Sequence, residues 1–243
     1  MPPPEYVFPR DYLDNNRINL QHYLSTEIFG YFLHPDIPVQ NPNLKIADIA
    51  AGTNRSPLSY ATFSLGAYTQ CFVTEYRLSA QTATPRNVGL HNWDMKTDVP
   101  KESKGVYDIV HVRNVVFVLS DQGIEDILSK VFGLIKPGGY TQWGEVDIHY
   151  LRIDKINEEC STSALEEIVR ITRSADPRLV PHWVPELPRL FESIGLVDIK
   201  KETREGPGYM DYMLHECVLM AHDIIVRNTN NKEVGQRLHG ILL

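Results

Sequence analysis

Hydrophobic and polar residues along the chain follow two periods, one typical of helices and one typical of strands. In residues 17–34, apolar side chains recur at three- and four-residue steps, which predicts an amphipathic helix that ends before a proline. Short apolar runs at 44–49 and 68–76 each predict a strand, and a weaker run at 87–94 predicts a third. The first helix therefore precedes the first strand, and it could pack on the sheet or lie over its edge as a lid.

The run most typical of a strand covers residues 107–119 and is dense in Val and Ile, which predicts a strand near the middle of the sheet, covered on both faces. Either Ser120 or Asp121 could cap the helix that follows, and the sequence KPGG at 136–139 is expected to end that helix. A fifth strand is predicted over residues 140–148.

The C-terminal part of the chain predicts helices around residues 161–174 and 209–227, with a short helix between them that ends at Gly195. A further strand is predicted at 196–202. Strands that alternate with helices of this length require crossover connections, so we predict an α/β fold with a doubly wound, mostly parallel sheet. The predicted division is an N-terminal helical lid segment, 1–43, and a main domain, 44–243, which together form a single domain.

Composition and charge narrow the choice of partner. The chain has 243 residues, a net charge of -7 and a pI near 5.7, which argues against a broad nucleic-acid surface. No apolar run approaches the roughly 20 residues of a membrane-spanning helix. Cys71, Cys160 and Cys217 are too widely spaced to indicate a disulfide framework or a zinc site, and we expect no metal. We therefore predict a cytoplasmic protein that binds a small molecule, with neither nucleic acid nor membrane as a partner.

Acidic side chains stand at the ends of three predicted strands, where parallel sheets bind ligands. Asp48 closes the first strand, Gly52 lies in the turn after it, and Glu75 ends the second strand 23 residues later, where a carboxylate can accept both ribose hydroxyls of an adenosine cofactor. Asp94 ends the third strand, where its carboxylate could meet an adenine amino group. Two flanking side chains could cover the adenine ring, namely Trp93 and Met95.

Four segments carry a resemblance to a known family: RINLQHYLSTEIFGYFLHPDIP, LKIADIAAGT, YDIVHVRNVVFVL and LIKPGGYTQWGEVD. Over roughly residues 10–200 the chain resembles the fungal branch of the class I S-adenosylmethionine-dependent methyltransferases, which have a Rossmann-like fold. The resemblance implies a seven-stranded sheet whose last strand is antiparallel, and S-adenosylmethionine as the cofactor. The candidate cofactor-binding residues are Asp48, Ala50, Gly52, Thr53, Asn54, Glu75, Trp93, Asp94, Met95 and Arg113.

The sequence departs from the family pattern at the glycine-rich turn, which keeps only Gly52. Ala50 and Asn54 stand where glycines are usual. The change at Ala50 is mild if its backbone keeps a negative φ, and asparagine is the least costly non-glycine residue if φ is positive. Gly144 stands where relatives often carry an acidic residue, and the C-terminus offers no convincing final strand beyond the very short GILL at 240–243.

Methyl transfer requires the nucleophile and the methyl group to be aligned, and it requires a base where a proton must leave. The candidate catalytic residues are His149, Glu145 and Arg113, with His149 preferred as the base because an unperturbed imidazole titrates near working pH. His149 could equally be a surface histidine, and His111 fits a buried core residue better than a catalyst. The candidate substrate-binding residues are Tyr23, Asn114, Trp143, His182 and Trp183.

Three functions remain open from the sequence. The first is O-, N- or C-methylation of a secondary metabolite, predicted to be apolar or aromatic. The second is an enzyme of the same fold that catalyses cyclisation, a pericyclic step or isomerisation without methyl transfer. The third is a non-catalytic assembly partner that completes its sheet with another chain, and a homodimer is also open. Gly52, Glu75 and Asp94 favour the methyltransferase.

Overall fold

The computed structural model describes residues 11–51, 68–73, 86–155, 157–175, 179–228, 235–237 and 240–241. The helices longer than one turn are α1 (Tyr12–Phe29), α2 (Ile124–Phe132), α3 (Ser163–Ala175), α4 (Trp183–Ser193) and α5 (Asp211–Asn228). The strands are β1 (Lys45–Ile49), β2 (Tyr68–Val73), β3 (Val88–Asn92), β4 (Tyr107–Arg113) and β5 (Ile135–Gly144). None of the helices in these ranges is long and apolar enough to cross a membrane.

The five described strands form one sheet in the order β3-β2-β1-β4-β5, and every neighbouring pair is parallel. This arrangement confirms the predicted α/β, Rossmann-like architecture. In the described part of the chain, β1 occupies the middle of the sheet and β4 lies between β1 and β5. The resemblance implies seven strands, the last of them antiparallel. The described residues contain five strands, and all of their pairings are parallel.

The predicted boundaries were wrong at several points, each for a local reason. Helix α1 begins earlier, because the Asp11 carboxylate accepts hydrogen bonds from the amides of Leu13 and Asp14 at 2.9 and 3.0 Å. β4 ends at Arg113, because Asn114 adopts a φ of 56° and turns the chain. β5 already begins at Ile135, before the KPGG segment, and ends at Gly144.

The predicted strand at 196–202 is not formed. Its apolar content is low, and Val197 is exposed. Its polar side chains bind the segment after α1, where Glu202 accepts a hydrogen bond from Tyr31, and Lys200 pairs with Asp36. These contacts hold residues 200–202 against that segment instead of in a sheet.

The two faces of the sheet differ in polarity because side chains alternate along each strand. One face is apolar: Ile49, Val110, Val112 and Trp143 pack towards α2 and α4. The other face carries Ile46 and Ile109 near the N-terminal ends of β1 and β4. These two side chains pack against residues 31–44, which we call the covering segment. Beyond these two isoleucines the same face becomes polar, as described below.

Helix α1 packs along α5 in the antiparallel sense. Leu13, near the start of α1, clusters with Ile224, and Leu24 clusters with Met210 and Cys217 at the other end. The residues of α1 that are buried are unusual for a helix that faces a core, because three of the four are polar: Asp14, Arg17, His22 and Leu24. The inward face of this helix is therefore built for polar contacts.

Neither Ser120 nor Asp121 caps α2, whose N-cap is Gly123. The Asp121 carboxylate instead accepts hydrogen bonds from the amides of His182 and Trp183, at 2.7 and 3.0 Å, and thereby caps α4. The sequence prediction placed this cap on the wrong helix because the two amides that Asp121 binds lie 61 and 62 residues further along the chain.

We expect Asp121→Ala to lower the free energy of unfolding by about 1 kcal/mol, because two amides at the start of α4 would lose their acceptor. Urea denaturation measures the change. The matched control is Asp126→Ala, which removes an exposed carboxylate that pairs with Lys130 in the next turn of α2 and should cost a few tenths of a kcal/mol. Equal losses in the two variants would show that Asp121 does not act as a cap.

Candidate functional site

The C-terminal ends of β1, β4 and β5 meet at one edge of the sheet, as parallel strands must. The residues that leave this edge are Ala50 after β1, Asn114 after β4 and Glu145 after β5. Ligands of open parallel sheets bind outside this edge. The edge therefore defines the candidate site.

A row of polar side chains crosses three strands just below this edge. Asp48 of β1, His111 of β4 and Gln142 of β5 occupy paired register positions and share one face of the sheet, and we call them the polar rung. Nδ1 of His111 lies 2.9 Å from Oδ1 of Asp48, and both side chains are almost completely buried. Burial lowers the pKa of His111, and the charge of Arg113 acts in the same direction, whereas Asp48 opposes the shift. The imidazole is therefore neutral and donates its Nδ1–H to Asp48.

The second oxygen of Asp48, Oδ2, is buried and accepts no hydrogen bond from any residue in the described ranges. A buried carboxylate oxygen without a donor is costly, so such atoms usually mark a place where another group belongs. A cationic or N–H-bearing ligand group, or an amide of the adjoining turn, would satisfy it. Asp48 therefore fits a binding role at the end of β1.

Ala50 follows directly after β1 and has a φ of 57°. The change would be mild only with a negative φ, and that condition is not met; a residue with a Cβ is strained by about 1–2 kcal/mol in the left-handed region. The family's glycine would adopt this conformation without strain. Gly52, Thr53, Asn54 and Glu75, which were also predicted to bind the cofactor, lie outside the described residues.

We expect Ala50→Gly to raise the free energy of unfolding by about 0.5–1 kcal/mol, because the relief of left-handed strain exceeds the entropy that glycine adds to the unfolded chain. The test is the urea midpoint of the variant. The control is Ala47→Gly, at a fully buried position in β1 that is not among the residues of positive φ, which should destabilise the protein. A loss of stability in both variants would contradict the backbone geometry at Ala50.

The predicted adenine-side residues separate into two groups. Trp93 and Met95 are buried in the apolar core, where the Trp93 indole donates to the carbonyl of Asp98 at 3.1 Å. Asp94 is only half-buried, and its carboxylate accepts the amide of Lys96 at 3.0 Å. This turn leaves the Asp94 side chain near the surface at the end of β3.

Glu145 holds the turn after β4 against the end of β5. Its Oε1 accepts the amide of Val115 at 3.0 Å and the indole of Trp143 at 2.8 Å, and its Oε2 accepts the amide of Val116 at 3.0 Å. The residue as a whole is half-buried, but its carboxylate is enclosed. Burial raises the pKa of Glu145 to about 7, although the three donors and the charge of Arg113 oppose this shift. The carboxylate is thus engaged in shaping the edge of the site.

Arg113 connects the end of β4 to the N-terminal helix. Its stem lies beside Gly144, where an added Cβ would stand in ordinary van der Waals contact, 3.6 Å from Cγ of the arginine. Its guanidinium donates to Nδ1 of His22, on the inward face of α1, and lies 5.4 Å from the centre of the Phe32 ring. Helix α1 and the covering segment are therefore attached directly to the candidate site.

The remaining predicted residues lie on two surfaces. His149 is exposed, and its Nε2–H donates to the carbonyl of Pro181 at 3.0 Å, while its ring centre lies 5.0 Å from that of His182. His182 is itself 75% exposed, and it pairs with Asp121. Tyr23 is exposed on α1, with its ring edge-on to that of His22.

Trp143 and Trp183 lie on the apolar face, with their ring centres 6.1 Å apart. Trp183 is buried, and its indole N–H finds no acceptor among the described residues. Asn114 is half-buried, and its backbone N–H donates to the carbonyl of Gly144 at 3.0 Å. In the described part of the chain, no three His, Cys, Asp or Glu side chains come together in a way that could hold a metal ion.

Sequence reasoning did not select His22, Phe32 or Gln142 as site residues. Gln142 accepts the amide of His34 at 2.7 Å and donates to the carbonyl of Phe32 at 2.8 Å, which fixes the covering segment to β5. One signal for Gln142 was present in the sequence: like Asp48 and His111, it is a polar residue inside a predicted apolar strand.

Comparison with curated proteins finds relatives among fungal methyltransferases, and no protein-family model matches the chain. Methyltransferase grgD of Penicillium sp is 29% identical over 152 residues, which cover 58% of this chain and 52% of the relative. N-methyltransferase gliN of Aspergillus fumigatus is 24% identical over 210 residues, covering 83% of this chain and 71% of the relative. The chain thus spans about half the length of the first relative and about seven tenths of the second.

Solved structures share the fold at low sequence identity. The complex of the Haloferax volcanii Trm112 methyltransferase activator with a putative methyltransferase matches with a TM-score of 0.56 and 11% identity, covering 80% of this chain and 77% of that one. PigF with SAH matches with a TM-score of 0.54 and 14% identity, covering 82% of this chain and 57% of that one. These similarities establish the architecture of the chain.

Proposed function

We propose that this chain, which belongs to the class I S-adenosylmethionine-dependent methyltransferase family and within it to the fungal secondary-metabolism branch, transfers a methyl group to a small molecule. The observation that carries the proposal is the Asp48 carboxylate, which is buried at the end of β1 with Oδ2 accepting no hydrogen bond from the described residues. A cationic or N–H group of a bound cofactor at this oxygen would offset the cost of burying it.

The residues at the sheet edge fit the polar parts of S-adenosylmethionine. Asp48 is the proposed acceptor for its amino-acid end, and Asp94 for its adenine amino group. Glu75 remains the proposed acceptor for the ribose hydroxyls on the basis of its position in the sequence. When bound, the cofactor supplies an electrophilic methyl group on a sulfonium. The task of the protein is then to orient the acceptor and to exclude water.

The lid segment proposed for residues 1–43 is supported by two contacts that link it to the site. His22 of α1 accepts a hydrogen bond from Arg113, and the Phe32 ring packs against the same guanidinium. Together with α5, this helix would close the site over a bound substrate.

An amine is the acceptor that we propose, because gliN is named an N-methyltransferase. His149 remains the proposed proton acceptor, since its Nε2 is engaged with Pro181 and its Nδ1 would take the proton. For Glu145 we propose a positioning role at the edge, because three donors surround its carboxylate. Residues 44–243 would form the catalytic domain.

We also propose a cytoplasmic location. The support is limited to the cysteines: Cys160 and Cys217 are free thiols, and burial raises the pKa of Cys217 to about 11, which keeps it protonated and unreactive.

Incubation of the purified protein with S-adenosylmethionine and a panel of secondary amines, phenols and acidic carbon compounds tests this function. The expected result is a product heavier than its acceptor by one methyl group in place of a hydrogen, together with S-adenosylhomocysteine. Heat-inactivated protein is the control. An isomeric product formed without loss of the cofactor would instead show a cyclase or isomerase. If no compound in the panel changes while the cofactor remains intact, the outcome argues for an assembly role.

A further inference from the structure

The polar rung places a hydrogen-bond donor, His111, at a buried strand position where core packing alone would favour an apolar side chain. A buried strand position between two apolar neighbours is normally filled by Val, Ile or Leu, as Val110 and Val112 show on either side of His111. A histidine at this position instead presents a donor to Asp48 at 2.9 Å. The donor, and not the ring volume, is the feature that needs an explanation.

We propose that His111 is a positioning residue for the cofactor site, which fixes the Asp48 carboxylate so that its second oxygen faces the ligand. This inference rests on the proposed function, because it assigns Asp48 to the cofactor. His111 itself does not touch the reacting atoms, and it acts through Asp48.

The hydrogen bond from His111 constrains Asp48 in two ways. It holds one carboxylate oxygen towards β4, so the side chain cannot rotate to satisfy Oδ2 elsewhere along that strand. It also stabilises the negative charge in a buried environment, where an ionised group without a donor is strongly disfavoured. The second oxygen is then available to a ligand with a cationic or N–H group.

The His111 ring is itself immobilised from the opposite side. The Phe32 ring packs against it with a centroid distance of 5.0 Å. Gln142 binds the backbone on both sides of Leu33, through the carbonyl of Phe32 and the amide of His34. The imidazole is thus enclosed between Asp48 and a segment that β5 holds in place.

Burial and Arg113 keep His111 neutral, and Asp48 opposes them. Asp48 faces it from β1, Arg113 acts from two residues further along β4, and the covering segment presents the uncharged Phe32 ring. Burial and the positive charge of Arg113 lower the pKa of His111, so its role as a donor does not change around neutral pH.

His111→Phe tests the inference, because it keeps a ring against Phe32 and removes the donor. We expect the affinity for S-adenosylmethionine, measured by calorimetry, to fall about 10-fold, since the Asp48 carboxylate loses the donor that orients it. His111→Gln, which restores an N–H, should stay within about threefold of the wild type. Val112→Ala is the control: it destabilises the same strand from the other face and should leave affinity unchanged.

A folded His111→Phe variant with the affinity of the wild type would overturn the inference. So would a loss of affinity matched by Val112→Ala, since the effect would then be one of stability alone. If His111→Phe does not fold, a folded His111→Gln variant with a 10-fold loss would also contradict it. Failure of the wild-type protein to bind the cofactor would contradict the proposed function and this inference together, whereas wild-type binding with an unaffected His111→Phe contradicts only the inference.

Discussion

Replacing Asp48 with asparagine should weaken the binding of S-adenosylmethionine by about 100-fold while the protein remains folded. The amide can still accept the hydrogen bond from His111 through its oxygen, but it then presents an N–H₂ group where the carboxylate presents Oδ2. The N–H₂ group of the variant cannot accept a hydrogen bond from the cofactor's amino group. The complex therefore loses a charge-assisted hydrogen bond, which is worth about 1.5–3 kcal/mol. Calorimetric titration of the variant measures the loss.

The stability of Asp48→Asn should be equal to or slightly above that of the wild type, because the substitution removes a buried charge. The matched control is Asp108→Asn at the opposite end of the sheet, where the carboxylate accepts the amide of Lys45 at 2.9 Å and pairs with Lys136. That variant should lose stability and keep its affinity. Unchanged cofactor affinity in Asp48→Asn would show that this carboxylate does not face the ligand.

Glu145→Ala should lower the free energy of unfolding by about 3 kcal/mol, the largest stability effect that we predict. The substitution leaves two amides, of Val115 and Val116, and the indole N–H of Trp143 without their acceptor. Each buried donor without a partner costs about 1–3 kcal/mol, and partial access to water reduces the sum. Glu145→Gln keeps one acceptor oxygen and should lose only about 1 kcal/mol. Urea denaturation distinguishes the two variants. Equal losses of stability would contradict the role of the Glu145 carboxylate as the acceptor for these three donors.

The pH dependence of stability, compared between the wild type and Glu145→Gln, provides an independent check. The folded-state pKa of Glu145 is raised from 4.5 to about 7, so the folded protein binds more protons than the unfolded chain between these values. The contribution of Glu145 to stability is therefore fully present below pH 4.5 and is lost as the pH rises through about 7. The stability of the wild type relative to Glu145→Gln should decline across this interval. A difference that is flat or rising would show that the carboxyl is not held as described.

The sequence was sufficient for the order and type of the main elements because their periodicity is local. Val and Ile in β4, and the three- and four-residue spacing of α2, specify a strand and a helix without reference to the rest of the chain. Residues 196–202 look like a strand by the same criterion, but they form none, because Glu202 and Lys200 bind side chains of the covering segment. Local patterns cannot report such competition.

The candidate site could be located from the sequence, but its internal contacts could not. Asp48 and Asp94 are recognisable because they follow strands that must end at one edge. The bond between Asp48 and His111 depends on the register of two strands 63 residues apart, and the sign of φ at Ala50 depends on the turn that follows β1. The sequence predicted His111 as a buried, hydrogen-bonded core residue, which agrees with the structure, but it did not identify Asp48 as the partner.

The role of Glu145 was also beyond sequence reasoning. A carboxylate directly after a strand, next to a candidate substrate pocket, is typical of an acid or base. Its three donors come from Trp143 near the end of β5 and from a turn about 30 residues earlier, which exists because Asn114 adopts a positive φ. Only the folded chain reveals that this carboxylate is enclosed by structural donors.

Calorimetric titration of the wild-type protein with S-adenosylmethionine tests the central claim most directly, because every assignment at the sheet edge depends on that cofactor. We predict saturable binding with a dissociation constant of roughly 1 µM to 1 mM, the range usual for enzyme substrates, and competition by S-adenosylhomocysteine. Absence of heat with both compounds at about 1 mM, for protein shown to be folded, would contradict the account.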